Sequence, residues 1–291
     1  MIGGSRDARR GTQDRAVAVD RSAIPRGPIG HGLLIVGTFI RLGVLNIAQY
    51  RGEFFVSLAN GVITLITQLL GLAIIFGNTQ ALGGWTPAGL LALIGVHTFL
   101  SGLIGLVIQP SLQQLMEGIR LGTFDFLLTK PADSQLLASV AVVAPAQVIQ
   151  LLMGAGIVAY ACVWMGTVIT PLQWLYFGVT VFFGVVIVYS FLTLLGTCSF
   201  WFVKLDNILV VFSSAFGQAG RWPISLFPAW MRIVLTVLIP VAFAVTVPAQ
   251  ALASGVSGWL VLASGAIAAV FFAGARAFWR YALRHYTGAS A

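Results

Sequence analysis

Charged side chains are scarce in this sequence: only 8% of its 291 residues are Asp, Glu, Lys or Arg, whereas 58% are hydrophobic. A soluble domain carries about 25% charged residues, so this composition excludes an ordinary soluble protein. Stretches such as 54–76 and 174–202 contain no charged residue, and about 20 apolar residues are enough to cross a bilayer. Their apolar positions are continuous rather than alternating, which excludes a β-barrel. The sequence predicts an all-α integral membrane protein.

Lysine and cysteine are scarcer still. The two lysines, Lys130 and Lys204, precede Pro and Leu, whereas a phosphate-binding P-loop needs a lysine followed by Ser or Thr. The two cysteines, Cys162 and Cys198, are predicted near opposite membrane faces, which excludes a disulfide within the chain, and they are too few for a metal cluster. The sequence contains no H-E-x-x-H or G-x-S-x-G motif. We therefore predict neither a catalytic centre nor a metal or cofactor on this chain.

The N-terminal part differs from the rest. Residues 1–30 contain six Arg, three Asp and few large apolar side chains, too little apolar surface to offset the entropy of ordering them. We expect a disordered, basic cytoplasmic tail that either meets anionic lipid or has no role. The short apolar run 32–40 has no cleavage site behind it, so a cleaved signal is not expected. Residues 31–53 mix apolar and charged residues, which predicts an interfacial amphipathic helix; an extension of the first span is the alternative.

A transmembrane domain with six spans is predicted over residues 54–291. Pro87 suits a helix start, where its missing N–H costs nothing, and Pro145 predicts a kink inside the third span. The fifth span is short, because residues 208–220 make only about 20 Å of helix. The predicted spans are 54–76, 87–108, 136–163, 174–202, 207–222 and 257–279.

The segment between the fifth and sixth spans is broken by four prolines, at positions 223, 228, 240 and 248. Broken backbone at membrane depth needs protein or a water-lined cavity around it. We therefore predict a re-entrant helical hairpin between these spans.

The basic residues are distributed unevenly across the predicted topology. With six spans both termini lie on one side, and 14 of the 16 Lys and Arg residues fall on that side; Arg221 and Arg232 fall opposite. Basic residues mark the cytoplasmic side, so the termini, residues 110–135 and residues 203–207 are predicted to be cytoplasmic. The net charge of +8 then needs no nucleic-acid partner.

Two stretches carry a recognisable pattern. Residues 117–131 read EGIRLGTFDFLLTKP, with Gly, a small or polar residue, Asp, two Leu and a basic residue before Pro. Residues 221–255 contain Pro-Ile, then Pro-x-Trp-hydrophobic-Arg, then Ile-Pro-hydrophobic-Ala-Phe, then Pro-Ala, and SFWF stands at 199–202. In this order and spacing they resemble the bacterial ABC-2 type of ABC transporter permease, in its six-span branch. Trp222 stands where that family usually has Tyr, and the resemblance covers about residues 31–285.

The resemblance implies the membrane subunit of an ABC exporter in the bacterial cytoplasmic membrane. Its partners would be two copies of a separate ATPase, which bind ATP and Mg, and a second permease subunit, identical or related. The loop between spans two and three would contact the ATPase. The residues expected in this contact are Arg120, Phe124, Asp125, Phe126, Leu127 and Lys130; those expected in an outward re-entrant element that closes the exit are Trp222, Pro223, Pro228, Trp230 and Pro240.

The predicted spans that face the presumed pathway offer Ser, Thr, Gln and aromatic side chains but no fixed charge, which favours a hydrophobic or amphipathic substrate, either drug-like or a lipid. Each such side chain is equally well explained as a helix–helix contact. An ATP-independent channel or secondary carrier, with His97 and residues 221–248 as its site, is the alternative function. The candidate pathway residues are Thr64, Gln68, His97, Gln147, Ser213 and Gln218, followed by Thr67, Gln150 and Ser214.

Overall fold

The computed structural model describes residues 51–166, 169–202, 206–238 and 240–286, and every regular element in these ranges is helical. Within these ranges, five helices are long and apolar enough to cross a membrane, which confirms the predicted all-α membrane class. The predicted tail, most of the predicted interfacial helix and residues 203–205 lie outside the described residues. The long helices are α1 (Arg51–Phe76), α2 (Pro87–Arg120), α5 (Pro145–Met165), α6 (Pro171–Phe200) and α10 (Gly258–His285).

Shorter helices lie between the long ones in the part of the chain that the structure describes. The sequence predicts a fifth span at 207–222, and the helix found there has 14 residues, fewer than the 18 or more of the five long helices. The shorter helices are α3 (Asp125–Leu128), α4 (Ser134–Ser139), α7 (Asp206–Ala219), α8 (Ala229–Ile233) and α9 (Ala242–Ala253).

Helix α2 is the centre of the bundle. Its most apolar stretch is 61% buried, compared with 11% for that of α1, whose large apolar side chains point outward as contact with lipid requires. Pro87 occupies its first turn, and the Thr86 hydroxyl caps it by accepting a hydrogen bond from the Gly89 N–H at 3.2 Å. The sequence predicts a span that ends at 108; the helix passes a π-helical turn at Ile104–Ile108 and continues to Arg120.

Close packing of α2 on α5 depends on glycine. A Cβ atom added at Gly154 would lie 2.3 Å from the backbone nitrogen of Phe99, and one added at Gly102 would lie 2.5 Å from that of Leu151. Both distances are too short for real atoms, so the two backbones touch without side chains between them. Small residues at such crossings are the usual basis of helix association in membranes.

The predicted third span, 136–163, is interrupted in the structure. Helix α4 ends at Ser139, and α5 begins at Pro145. Proline disfavours helical backbone in the residue before it, and Ala144 accordingly has φ −101° and ψ 89°. The irregular backbone finds its partners on α2, because the Ala144 N–H donates to the Leu106 carbonyl at 2.8 Å and the Val142 N–H donates to the Ser111 hydroxyl at 3.1 Å. Such partners are what broken backbone at membrane depth requires.

The proline-rich segment folds into two helical arms. Helix α8 continues as a π-helix over Val234–Leu238, and the second arm is α9. Ala244, Ala249 and Ala251 on this arm are fully buried, and α9 packs between α2 and α6. A Cβ atom added at Gly184 of α6 would lie 2.8 Å from the Ala244 carbonyl oxygen, so α9 is a packed part of the bundle.

Candidate functional sites: the loop after the second long helix and a membrane cavity

The loop after α2 is held by one buried aromatic side chain. Gly122 turns the chain at the end of α2 with φ +71°, a conformation that suits glycine. Phe124 follows and is only 3% exposed. Its ring meets those of Phe200, Trp279 and Tyr286 edge to face, with centroids 5.3, 6.3 and 5.5 Å apart. We call these four residues the aromatic cluster; it attaches the loop to the ends of α6 and α10.

Tyr286 adds a polar contact to the aromatic cluster. Burial raises the pKa of the Tyr286 hydroxyl above its ordinary value, and a hydrogen bond with Asp125 raises the pKa further. The phenol donates this bond to the carboxylate, and a nearby negative charge opposes loss of the phenolic proton. Asp125, at the start of α3, is therefore hydrogen-bonded within this chain, to Tyr286.

A second attachment joins α4 to α10. The guanidinium of Arg276 donates to the Asp133 carboxylate, through Nη1 at 2.9 Å and also through Nη2, and to the Gln135 side-chain oxygen at 2.8 Å. The hydrogen bonds from Arg276 to Asp133 lower the pKa of Asp133 below its ordinary value. Asp133 also caps α4 by accepting from the Leu136 N–H at 3.1 Å. We call Asp133, Gln135 and Arg276 the polar latch.

Helix α4 is also bonded to α6. The hydroxyls of Ser139 and Tyr189 lie 2.8 Å apart, and the Gln135 amide donates to the Tyr189 hydroxyl at 3.3 Å. The Trp279 indole N–H in turn donates to the Ser134 hydroxyl at 3.2 Å. The segment from α3 to α4 is thus fastened to both α6 and α10.

The residues predicted to contact an ATPase divide into two groups. Phe124 is buried, and Leu127 is half-buried against the core. Phe126, in contrast, is 73% exposed, and Lys130, four residues later, is also exposed. Arg120 is partly exposed, with a guanidinium nitrogen 3.6 Å from the Glu117 carboxylate. Of the two exposed large apolar side chains on α3, Phe126 and Leu128, Phe126 is the more exposed, at 73% against 40%.

The predicted outward element has a mixed surface. Pro223 and Pro240 are buried, whereas Pro228 is exposed. Trp222 is partly exposed and Trp230 projects from α8. The turn between them is fixed by Arg232, whose guanidinium donates to the carbonyl oxygens of Ser225 and Phe227 at 3.3 Å each.

A polar cavity of about 260 Å³ lies among α1, α2, α5 and α7. It brings together predicted pathway residues that are far apart in the sequence, whereas Gln218, Thr67 and Ser214 do not line it. The predicted residues that line it are Thr64, Gln68, His97, Gln147, Gln150 and Ser213; the polar lining residues not predicted are Thr98, Ser101, Gln109 and Arg221.

His97 is the buried ionisable residue of this lining, at 4% exposure. Its Nε2 lies 3.3 Å from the Phe216 carbonyl oxygen and 3.4 Å from the Ser101 hydroxyl, and its ring stacks on Phe216 at 5.4 Å. Because a carbonyl only accepts, this bond needs the proton on Nε2, which leaves Nδ1 as an acceptor. Nδ1 has no hydrogen-bond partner among the residues that the structure describes.

Arg221 was not predicted as a pathway residue of the exporter: the distribution of basic residues places it on the outer side, and it begins the range 221–248 that the alternative carrier would use with His97. In the structure it lines the cavity and interacts electrostatically with His97. A Cβ atom added at the preceding Gly220 would lie 2.4 Å from the His97 ring, and His97 stands ten residues, about 15 Å, into α2. The short fifth span was the sequence signal for this position of Arg221. A helix of about 20 Å ends inside the hydrocarbon core of a bilayer, which is about 30 Å thick.

The described residues contain no group of three or more His, Cys, Asp or Glu side chains that could hold a metal ion. No curated protein matches the chain. A family model described as ABC-2 family transporter protein matches residues 62–290. This match covers most of the sequence and agrees with the resemblance of the loop and of the proline-rich segment. The chain belongs to the ABC-2 family of transporter membrane proteins.

Proposed function

We propose that this chain is the permease subunit of an ATP-driven exporter, which moves a hydrophobic or amphipathic small molecule out of the bacterial cytoplasm. Membership of the ABC-2 family supports a transport role and implies an ATPase partner in general terms. The observation that carries the proposal is the cytoplasmic loop, where an exposed Phe126 stands next to a buried Phe124. An apolar side chain held outward on a fixed support is suited to a protein contact.

The ATPase would bind α3 from the cytoplasm. Phe126 would enter an apolar groove of the ATPase, while Arg120 and Lys130 would select the partner by charge, because charges at an interface rim contribute mainly to specificity and association rate. ATP and Mg would stay on the ATPase, of which two copies would serve two permease subunits.

Movement of the ATPase would reach the membrane through the aromatic cluster and the polar latch. Both join the loop to α10, and Tyr189 and Phe200 join it to α6. A push on α3 would therefore act on two long helices at once. Discrete, tightly packed contacts of this kind transmit displacement because packed interiors are not continuously deformable.

The remaining topology follows the sequence prediction. Helix α7 would serve as the fifth of six spans, and α8 and α9 would form the re-entrant hairpin that closes the outer end of the pathway. Both termini would lie in the cytoplasm, the tail 1–30 would be disordered, and the helix predicted at 31–53 would lie in the membrane interface. The cavity lined by Gln68, His97 and Gln147 would be part of the transport pathway.

Co-purification of the chain, produced with the genes around its own gene, tests the proposal. We expect an ATPase to co-purify and to drive ATP-dependent movement of a hydrophobic dye or a labelled lipid in proteoliposomes. Phe126→Ala should weaken ATPase capture, because it removes the exposed apolar contact. Phe182→Ala is the matched control: Phe182 is 62% exposed, within the apolar part of α6. A complex without any ATPase polypeptide would overturn the proposal.

A further inference from the structure

We infer that the membrane cavity binds the anionic headgroup of an amphiphile, a carboxylate, phosphate or sulfate group, on Arg221. This inference rests on the proposed function, since it names the substrate class of the same pathway. It differs from what the sequence alone favours, a pathway lined by uncharged polar and aromatic side chains, because Arg221 lines the folded cavity.

The charge balance of the lining is the first argument. Arg221 lines the cavity, and no Asp or Glu stands among the described residues that form it. The Nε of Arg221 is buried and has no hydrogen-bond partner within the described ranges. A buried N–H group without a hydrogen-bond partner is costly, and the guanidinium that carries it matches oxyanions in geometry as well as in charge. An oxyanion is therefore the ligand group that would satisfy this site best.

Hydrogen bonding is the second argument. His97 lines the cavity and is at least nine-tenths buried, and its Nδ1 has no hydrogen-bond partner among the described residues. Buried polar groups are nearly always hydrogen-bonded, so two unpaired groups beside one cavity indicate a ligand site. With its proton on Nε2, His97 accepts a bond from a hydroxyl on the headgroup or from a water molecule that bridges to it.

The apolar part of the lining is the third argument. Leu65, Met153 and Ile157 line the same cavity as the polar residues. Helix α1, which forms one wall, is otherwise largely exposed on its apolar face. The volume of about 260 Å³ equals about nine water molecules at about 30 Å³ each. That space holds the headgroup of the amphiphile and the start of its alkyl chain, while the rest of the alkyl chain would lie along α1.

Equilibrium binding of three probes tests the inference. The full chain, with whatever subunits co-purify, is placed in phosphatidylcholine nanodiscs without ATP, and the probes are dodecyl phosphate, dodecyltrimethylammonium and inorganic phosphate. We expect dodecyl phosphate to bind at least about tenfold more tightly than dodecyltrimethylammonium, as a charge-assisted contact predicts. Equal binding of the two amphiphiles would overturn the inference. Competition by inorganic phosphate as strong as that by dodecyl phosphate would also overturn it, because the site would then take a free anion.

Two variants locate the site. Arg221→Gln should remove the preference for dodecyl phosphate, whereas Arg280→Gln, which removes the same charge from an exposed position on α10, should keep it. An unchanged preference in Arg221→Gln would contradict the inference. If that variant does not fold, the two-probe comparison on the unaltered chain still decides. Failure here leaves ATPase capture intact, whereas failure of the proposed function removes the ATPase and leaves this binding measurable.

Discussion

Two groups of polar side chains in this chain differ in how completely they are paired. In the polar latch, Arg276 bonds Asp133 and Gln135, and Gln135 also bonds Tyr189. In the membrane cavity, His97 Nδ1 and Arg221 Nε have no partner among the described residues. The comparison shows that polar side chains have two different roles in this helical bundle. Paired groups hold the loop after α2 on the long helices, and the unpaired groups are those that we propose for a ligand.

The comparison predicts opposite consequences of mutation. Removing one member of a paired set leaves its partner unsatisfied, which is costly, whereas removing a group that had no partner costs little. Four measurements can break or sharpen this distinction, and they are taken in order of decreasing expected effect.

Phe124→Ala should lower the free energy of unfolding most, by about 3–5 kcal/mol, because it leaves a cavity inside the aromatic cluster. Phe126→Ala is the matched control two residues further along the chain; it should change that free energy by less than about 0.5 kcal/mol, as exposed positions do. Unfolding of both variants in detergent provides the comparison. Similar losses for the two variants would mean that Phe124 does not hold the loop.

A double-mutant cycle on the polar latch should give a smaller effect. We expect a coupling between Asp133→Asn and Arg276→Gln of about 0.2–1 kcal/mol, because both side chains are partly exposed and solvent screens the pair. Unfolding of the wild type, the two single variants and the double variant measures it. Strictly additive losses would show that the latch contributes no stability as a pair.

Acid should weaken the latch. The hydrogen bonds from Arg276 lower the pKa of Asp133 in the folded chain from its ordinary value of 3.8. The folded state therefore binds this proton less readily than the unfolded state, so the contribution is complete above that ordinary value and is lost as the pH falls through the lower folded pKa. The unfolding temperature of the wild type should fall more steeply below about pH 4 than that of Asp133→Asn. Parallel pH profiles would contradict this assignment.

Arg221→Met should have the smallest effect on stability, close to zero or slightly stabilising, because it removes a buried Nε–H that has no hydrogen-bond partner among the described residues and keeps apolar volume. Unfolding in detergent without added ligand measures it. A loss above about 1.5 kcal/mol, the size expected when a buried partner is stranded, would show that Arg221 is a structural residue. The comparison between latch and cavity would then fail.

The sequence predicts the membrane class and most of the long helices, because uncharged apolar stretches are a local property that survives folding. It also predicts the loop, whose pattern of Gly, Asp and Leu is local as well. It does not predict that Phe124 points inward, since the rings that bury it belong to Phe200, Trp279 and Tyr286, far along the chain. The break before Pro145 likewise depends on hydrogen bonds to α2.

The membrane cavity shows the same limit more clearly. Gln68, Gln147 and Ser213 are ordinary polar positions in sequence, and equally good as helix–helix contacts. Their meeting around one space depends on the packing of four helices. The position of Arg221 depends on where the short α7 ends relative to His97, which a count of basic residues by side of the membrane does not reveal.

Crosslinking at Phe126 in living cells tests the central claim most directly. A photoreactive amino acid at Phe126 should capture a nucleotide-binding polypeptide, because this side chain is exposed on a loop that we propose as the ATPase contact. The same amino acid at Trp259 should not capture it. Trp259 is 78% exposed in the first turn of α10, at the end of α10 opposite the aromatic cluster. If neither position captures such a polypeptide, the account of an ATP-driven permease is contradicted.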